Sequence, residues 1–410
     1  MPFTYRHGVL CADEVALDEI AERFGTPCFV YSAASIAASY AEFEDALKGR
    51  AARICYSVKA NSNLAVLALL AKLGAGFDIV SGGELARVLA AGGDARSTLF
   101  SGVGKSEAEI FFALEKGIGC INIESEAELD RVQAVAASLR LRAPVALRVN
   151  PDIDANTHPY ISTGLSHTKF GVPHAEAEGL YRKAAGMPNI DVVGIGCHIG
   201  SLLLDSAPFV AAAERLLALL DRLEASGIRL AHVDVGGGIG IRYKDESPQP
   251  PEAFVRGVLA ALGERPHTLI VDPGRSIVGN AGVLLTRVEY LKPGFLVVDA
   301  GMNDLIRPAL YGAWHEVQAV RESASTTGVY DIVGPVCESA DFLAKGRPLA
   351  ARAGDLLAVM SCGAYAMAMS SNYNTRPRAA ELMVEGTMAT VIRARETAAE
   401  LFRGETLLPR

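Results

Sequence analysis

Cysteine is scarce and scattered. Seven occur in 410 residues, at positions 11, 28, 55, 120, 197, 337 and 362, with no C-x-x-C pair and no histidine at zinc-ligand spacing. An odd, dispersed set excludes a disulfide-stapled fold and a structural zinc site, and it reads as reduced thiols in a cytosolic protein, most of them core filler. Long apolar runs are missing too. Residues 64–73 are interrupted by Lys72 and residues 209–220 by Glu214, short of the roughly 18 apolar residues a membrane span needs. The first ten residues carry Arg6 and His7 and lead into Asp13 and Glu14, not into an apolar stretch of signal-peptide type, so the expected location is the cytoplasm. Nor is there an excess of basic charge. Lys and Arg number 39 against 47 Asp and Glu, a formal charge of −8, which gives no footprint for nucleic acid or an anionic membrane. Any anionic ligand must be held by local basic residues. What the chain does have is apolar bulk: 50% of residues are hydrophobic and 21% charged, enough to exclude disorder and to bury a core without metals or crosslinks.

At about 150 residues per domain, the length allows two or three domains or one large barrel with an appendage. Between residues 50 and 280 one pattern recurs: a short apolar run, a Gly/Asn/Ser turn, then an Ala/Leu/Glu-rich helical stretch. The apolar runs are 53–58, 76–80, 98–101, 120–123, 145–149, 192–198, 232–235 and 268–271. Helix candidates between them, such as 125–139, 174–185 and 208–225, place apolar residues three and four apart. Near-continuous apolar strands alternating with helices imply a parallel sheet covered on both faces. Eight such units match a closed (β/α)8 TIM-type barrel, and the count favours it over an open doubly wound sheet. After residue 280 the pattern changes to β-rich runs separated by Pro/Gly turns, with little helix. The predicted architecture is therefore α/β: a barrel over 36–280 and a second, all-β, Greek-key-like C-terminal domain over 281–410, to which residues 1–35 are assigned.

In such a barrel the active site lies at the carboxyl ends of the strands, and those positions are unusually polar here. Lys59 follows strand 1, where desolvation would favour a neutral, nucleophilic amine. Asp78 ends strand 2. His198 ends strand 6 and the Gly200-Ser201 turn follows it, and strand 7 runs into Gly236, Gly237 and Gly238, glycines that let backbone amides approach a phosphate. The run is not a dinucleotide fingerprint, because Ile241 stands where that motif needs Gly or Ala and a proline-rich loop follows instead of a helix. Strand 8 ends in Asp272-Pro273-Gly274-Arg275. Taken singly, these are a snorkelling lysine, a helix cap, a core histidine, a flexible loop and a surface ion pair. Taken together, they supply an amine, a phosphate cradle, an acid for a pyridine nitrogen, a stacking imidazole and a carboxylate-gripping arginine on one rim, which is what pyridoxal 5'-phosphate requires.

At these residues the sequence resembles, almost end to end, the alanine-racemase-fold pyridoxal-phosphate decarboxylases, and within them the diaminopimelate decarboxylases. The resemblance implies that Lys59 in Y-S-V-K-A-N carries the cofactor, with Asp78 as a further cofactor contact. It places His198 on the cofactor ring and Ser201 and Gly236 to Gly238 at its phosphate. Asp272, Gly274 and Arg275 would also contact the cofactor, with Arg275 additionally gripping a substrate carboxylate. In N-D-L-I-R-P-A-L-Y it makes Arg307 and Tyr311 substrate ligands. In G-P-V-C-E-S-A-D it makes Cys337 the proton donor and Glu338 a substrate-binding acid reaching across a homodimer interface, and in C-G-A-Y it makes Tyr365 a contact to both cofactor and substrate. The implied reaction is decarboxylation of meso-2,6-diaminopimelate to L-lysine, the last step of lysine biosynthesis. A related ornithine, arginine or carboxynorspermidine decarboxylase, a racemase of the same barrel type, and a non-catalytic homologue are the competing readings. Two positions depart from the family pattern. Ala340 stands where Gly is common, and Asp272 stands where the family usually has Glu; with one methylene fewer, a direct contact needs the backbone about 1.5 Å closer, on the order of one bond length.

Overall fold

The computed structural model describes residues 2–153, 169–322 and 327–409. The chain divides into two compact units, one of residues 39–241 and 247–276, the other of residues 1–38, 242–246 and 277–410.

The first unit is a closed parallel barrel. Its strands are β1 (Ala52–Ser57), β2 (Gly76–Ile79), β3 (Thr98–Phe100), β4 (Cys120–Ile123), β5 (Ala143–Asn150), β6 (Ile190–Gly196), β7 (His232–Asp234) and β8 (Thr268–Val271). Each pairs in parallel with the next, and β8 closes the ring on β1 through Leu269 to Val271 against Ala52 to Ile54. The interior is narrow. Cys55, Leu99, Cys120, Ala146 and Ile270 pack together there, so two of the scattered cysteines serve as small core residues. Serines start three of the intervening helices: Ser81, Ser106 and Ser125 each accept a hydrogen bond from the amide three residues on, and Ser106 forms a reciprocal capping box with Glu109. Such caps fix where each strand-to-helix loop ends, and those loops carry the polar residues of the barrel mouth. Five strands stop sooner than the apolar runs suggested: the first at Ser57, the second at Ile79, the third at Phe100, the sixth at Gly196 and the seventh at Asp234, so Ser101 and His198 stand on loops beyond their strands.

The second unit is built on the eleven-residue strand Gly282–Lys292. It pairs antiparallel with Cys28–Ser32, with Leu356–Val359 and with Phe295–Val298. Cys28–Ser32 in turn pairs in parallel with Ala380–Glu385, so the amino-terminal segment lies inside the sheet formed by the carboxy-terminal one. Leu10, Leu17, Ile20, Val283, Leu285 and Leu382 fill the core beneath it; at about 1.5–3 kcal/mol for each fully buried large aliphatic side chain, this seam anchors the first thirty residues. Among the described residues no helix is long and apolar enough to cross a membrane.

Candidate active site

The barrel strands deliver a compact set of ionisable groups to one rim. Lys59 stands in a single 3-10 turn, Val58–Ala60, directly after β1. Its Nζ is 3.5 Å from Asp78 Oδ2, and the lysine side chain keeps a third of its surface exposed while the aspartate is buried. The sequence suggested a lysine desolvated by a strand buried on both faces. The strand ends two residues earlier, and the ammonium instead lies beside a carboxylate. Asp78 is itself held in place. Ser101 Oγ donates to Oδ1 at 2.6 Å, and Asn122 Nδ2 donates to Ser101 Oγ at 3.0 Å. Ser57 Oγ lies 3.4 Å from Asp78 Oδ2 and 2.9 Å from the Asp272 carbonyl, so β1, β2 and β8 meet at one hydroxyl.

His198 sits 3.8 Å from Asp272 through Nδ1. The Gly237 amide donates to that nitrogen at 3.4 Å, so the ring proton belongs on Nε2. Burial, then the Lys59 and Arg148 charges, push the imidazole well below the usual histidine range, which makes it a neutral, flat, stackable ring. Burial and the Asp78 charge push Asp272 well above the usual carboxylate range, and burial together with Asp272 does the same to Asp234 at the end of β7. Asp234 Oδ1 also accepts the Gly236 amide at 2.9 Å, pinning the start of the glycine run. Arg275 is buried and donates from Nη2 to Ser201 Oγ at 3.2 Å. Gly274 packs on the lysine turn, where a Cβ would lie 2.9 Å from that of Ser57.

Three observations fit pyridoxal phosphate. Asp272 Oδ1 is buried with no hydrogen-bond partner among the described residues, and it is a basic oxygen of the kind that pairs with a protonated ring nitrogen. The glycine run admits no side chain, since a Cβ at Gly237 would lie 2.2 Å from the Asp272 carbonyl oxygen and one at Gly238 would lie 2.0 Å from the Gly200 carbonyl oxygen. Gly236 and Gly238 also adopt φ of 76° and 100°, which glycine takes without strain. Finally, an amine, a neutral ring and a basic carboxyl lie within one cavity lined by Lys59, His198 and Asp272. Gly237→Ala therefore has a large expected effect. Overpacking should cost about 1–3 kcal/mol of stability, and titration of the apo-protein with cofactor should show clearly weaker binding; wild-type affinity would remove the glycine run from the cradle.

The structure thus gathers Lys59, Asp78, His198, Ser201, Gly236, Gly237, Gly238, Asp272, Gly274 and Arg275 on the barrel unit. Arg307, Tyr311, Cys337, Glu338 and Tyr365 belong to the β unit. There Arg307 is buried at the start of the short helix Arg307–Tyr311, and Tyr365 adopts a φ of 54°. Cys337 is the exposed cysteine, the other six being buried. Its amide donates to Asn374 Oδ1 at 2.8 Å, and Tyr373 donates its phenol to Glu338 Oε1 at 2.5 Å. Two successive residues thus hold two successive residues. Ser101, Asn122, Arg148 and Asp234, like Tyr373 and Asn374, were not read from the sequence. A usable signal existed for Arg148, a charge set within a mostly apolar barrel strand, and for Asp234, a carboxylate at the carboxyl end of one.

Residues 33–279 match the family model described as "Pyridoxal-dependent decarboxylase, pyridoxal binding domain". The chain is 59% identical to the diaminopimelate decarboxylase of Pseudomonas fluorescens, with 99% of each chain covered. It is 52% identical to that of Vibrio cholerae over the same shares. Among solved structures, the Helicobacter pylori diaminopimelate decarboxylase complexed with L-lysine superposes with a TM-score of 0.92 at 42% identity, covering 94% of this chain and 98% of that one. The M. jannaschii enzyme in co-complex with L-lysine gives 0.95 at 35% identity, covering 99% and 98%.

Proposed function

Because this chain belongs to the pyridoxal-dependent decarboxylase family, and within it to the diaminopimelate decarboxylases, we propose that it removes carbon dioxide from meso-2,6-diaminopimelate to give L-lysine, the closing step of lysine biosynthesis. It is a carboxy-lyase and its cofactor is pyridoxal 5'-phosphate. Bound at the barrel mouth, that cofactor supplies an electron sink for the pair left behind when carbon dioxide departs.

The chain's own residues do the rest. Lys59 would bond the cofactor through Nζ, with Asp78 holding the amine in position before and after substrate exchange. Asp272 would hold a proton at the ring nitrogen, a task suited to a carboxyl whose burial makes it basic. His198, kept neutral, would cover one ring face without adding a competing charge. The amides of Gly236 to Gly238 and the Ser201 hydroxyl would cradle the phosphate, with Gly274 letting the Asp272 loop lie against the lysine turn. The substrate carries a second carboxylate and a second amine, and both must be recognised by charge. Arg275 and Arg307 suit the distal carboxylate, Glu338 the distal ammonium, and Tyr311 and Tyr365 the remaining polar contacts. Cys337 would deliver a proton from Sγ to the carbon that lost carbon dioxide. We further place the enzyme in the cytoplasm as a homodimer in which each subunit's Cys337 and Glu338 complete the other's site.

The observation that carries the reading is the rim itself, where a carboxylate-paired lysine, a neutral imidazole and a buried carboxyl with an oxygen unpaired among the described residues face one cavity. A substrate panel tests it. Carbon dioxide release in the presence of the cofactor is expected to be fastest with meso-diaminopimelate; faster release from ornithine, arginine or carboxynorspermidine would transfer the chain to that specificity.

A further inference from the structure

Arg307 lies in an arrangement that its role as a carboxylate ligand does not by itself require. The helix Arg307–Tyr311 ends at Gly312, whose left-handed φ of 61° turns the chain back. The turn is closed by hydrogen bonds from the Gly312 amide to the Pro308 carbonyl and from the Ala313 amide to the Arg307 carbonyl. His315 therefore returns beside Arg307, and its Nε2 lies 2.7 Å from Arg307 Nη1. His315 is completely buried and Arg307 is 3% exposed.

Donor and acceptor logic fixes the state of the ring. A guanidinium has five N–H donors and no acceptor, so His315 Nε2 must be the bare, accepting nitrogen. The other nitrogen, Nδ1, is 2.8 Å from the Met360 carbonyl oxygen, which can only accept, so Nδ1 carries the hydrogen. Both contacts are satisfied by a single neutral tautomer. Backbone contacts hold the ring where it is: Arg347 Nη2 donates to the His315 carbonyl at 2.9 Å, and the Met360 amide donates to the Glu316 carbonyl at 2.8 Å. A third group completes the grip. The Tyr243 ring lies 4.6 Å from the Arg307 guanidinium carbon and meets the His315 ring edge-on, with centroids 5.2 Å apart at 77°. The arginine is thus held at one Nη by an imidazole and on its face by a phenol ring.

Neither group brings a negative charge. A carboxylate in place of His315 would orient the guanidinium equally well but would offset the charge on which recognition of an anionic substrate depends. A neutral acceptor and an aromatic face orient it without adding a negative charge of their own. We infer that His315, with Tyr243, is a positioning residue that sets substrate discrimination by fixing the Arg307 guanidinium for the distal carboxylate of the substrate. The inference rests on Arg307 being that carboxylate's ligand, as proposed above.

The test compares two competitive ligands. L-Lysine keeps the carboxylate that survives the reaction, whereas 1,5-diaminopentane has both amines and neither carboxylate. In His315→Phe, the ratio of the diaminopentane inhibition constant to the lysine inhibition constant is expected to fall about tenfold, the scale of one charge-assisted hydrogen bond. KM for meso-diaminopimelate should rise to match, with kcat changed much less. His315→Gln, whose amide oxygen can accept from Arg307, should recover most of the ratio. Equal weakening of both ligands, or an unchanged ratio, overturns the positioning role. If His315→Phe does not fold, Tyr243→Leu, which leaves the imidazole in place, should lower the ratio in the same direction, and a wild-type ratio there overturns it as well. Arg307→Met separates the two levels. If it collapses the ratio while the His315 variants do not, only the positioning inference falls; if it leaves the ratio unchanged, the assignment of Arg307 falls and takes the inference with it.

Discussion

Lys59→Ala is expected to yield a folded, colourless protein with turnover reduced by more than about 10⁴-fold, the scale seen when a nucleophile acting as one unit with its partners is removed. The fold should survive. Asp78 loses its cationic partner, and a buried carboxylate left alone is costly, but here it keeps Ser101 at 2.6 Å as a donor. The cofactor should still bind, more weakly, because the glycine run and Ser201 lie on other strands' loops. What should vanish is the near-visible absorbance band of the lysine-bound cofactor, and with it any trapping of cofactor on the protein by borohydride. A variant that keeps both the band and its activity would show that another amine does the work, and the constellation around Asp78 and Asp272 would need a different explanation.

Cys337→Ala is expected to lower kcat by about 10²–10⁴-fold, the usual contribution of a positioned general acid, while cofactor binding and KM for the substrate stay near the wild-type values. This pattern separates a proton donor from a residue that binds either ligand. The thiol suits the task by location: it is on an exposed loop whose backbone is fixed by Asn374, so a small side chain can be delivered without rearranging a core. The same variant tests the shared site. Mixing the Lys59→Ala and Cys337→Ala proteins under subunit exchange should restore up to about a quarter of wild-type activity, because half of the random dimers then hold one intact site of two. No recovery would place Cys337 in the site of its own subunit.

Much of this arrangement is legible in the sequence because barrels obey a positional rule. Buried strands read as apolar runs, and whatever follows them faces the active-site end. Lys59, Asp78, His198 and Asp272 all stand out by that rule alone. It located each group but not its neighbours. The barrel makes consecutive strands adjacent, but that Asp78 is tied to Asn122 through Ser101, or that Gly237 donates to His198, depends on side-chain rotamers and loop geometry at the strand ends, which periodicity does not record. In the β unit the local signals were weaker still. The strand Phe342–Leu349 contains Lys, Gly, Arg and Pro, and Ala380–Glu385 is written in helix-forming residues; pairing with neighbouring strands overrides these propensities. The fifteen-residue helix Ala33–Leu47, by contrast, is legible, since Ile36, Tyr40, Phe43 and Leu47 stand three and four apart and form its buried face. The His315–Arg307 contact is not legible in the sequence because on a continuous helix residues eight apart lie about 12 Å from one another along the axis, whereas here the chain turns back at Gly312.

The proposed decarboxylation of one substrate at one end, by these residues with pyridoxal phosphate, is tested most directly by incubating the purified protein with meso-diaminopimelate, with and without added pyridoxal phosphate, and measuring carbon dioxide and L-lysine in the same reaction. Equimolar release of the two is expected, dependent on the cofactor and absent in Lys59→Ala. Lysine formation no faster than the uncatalysed background, or carbon dioxide without an equal amount of lysine, would contradict it.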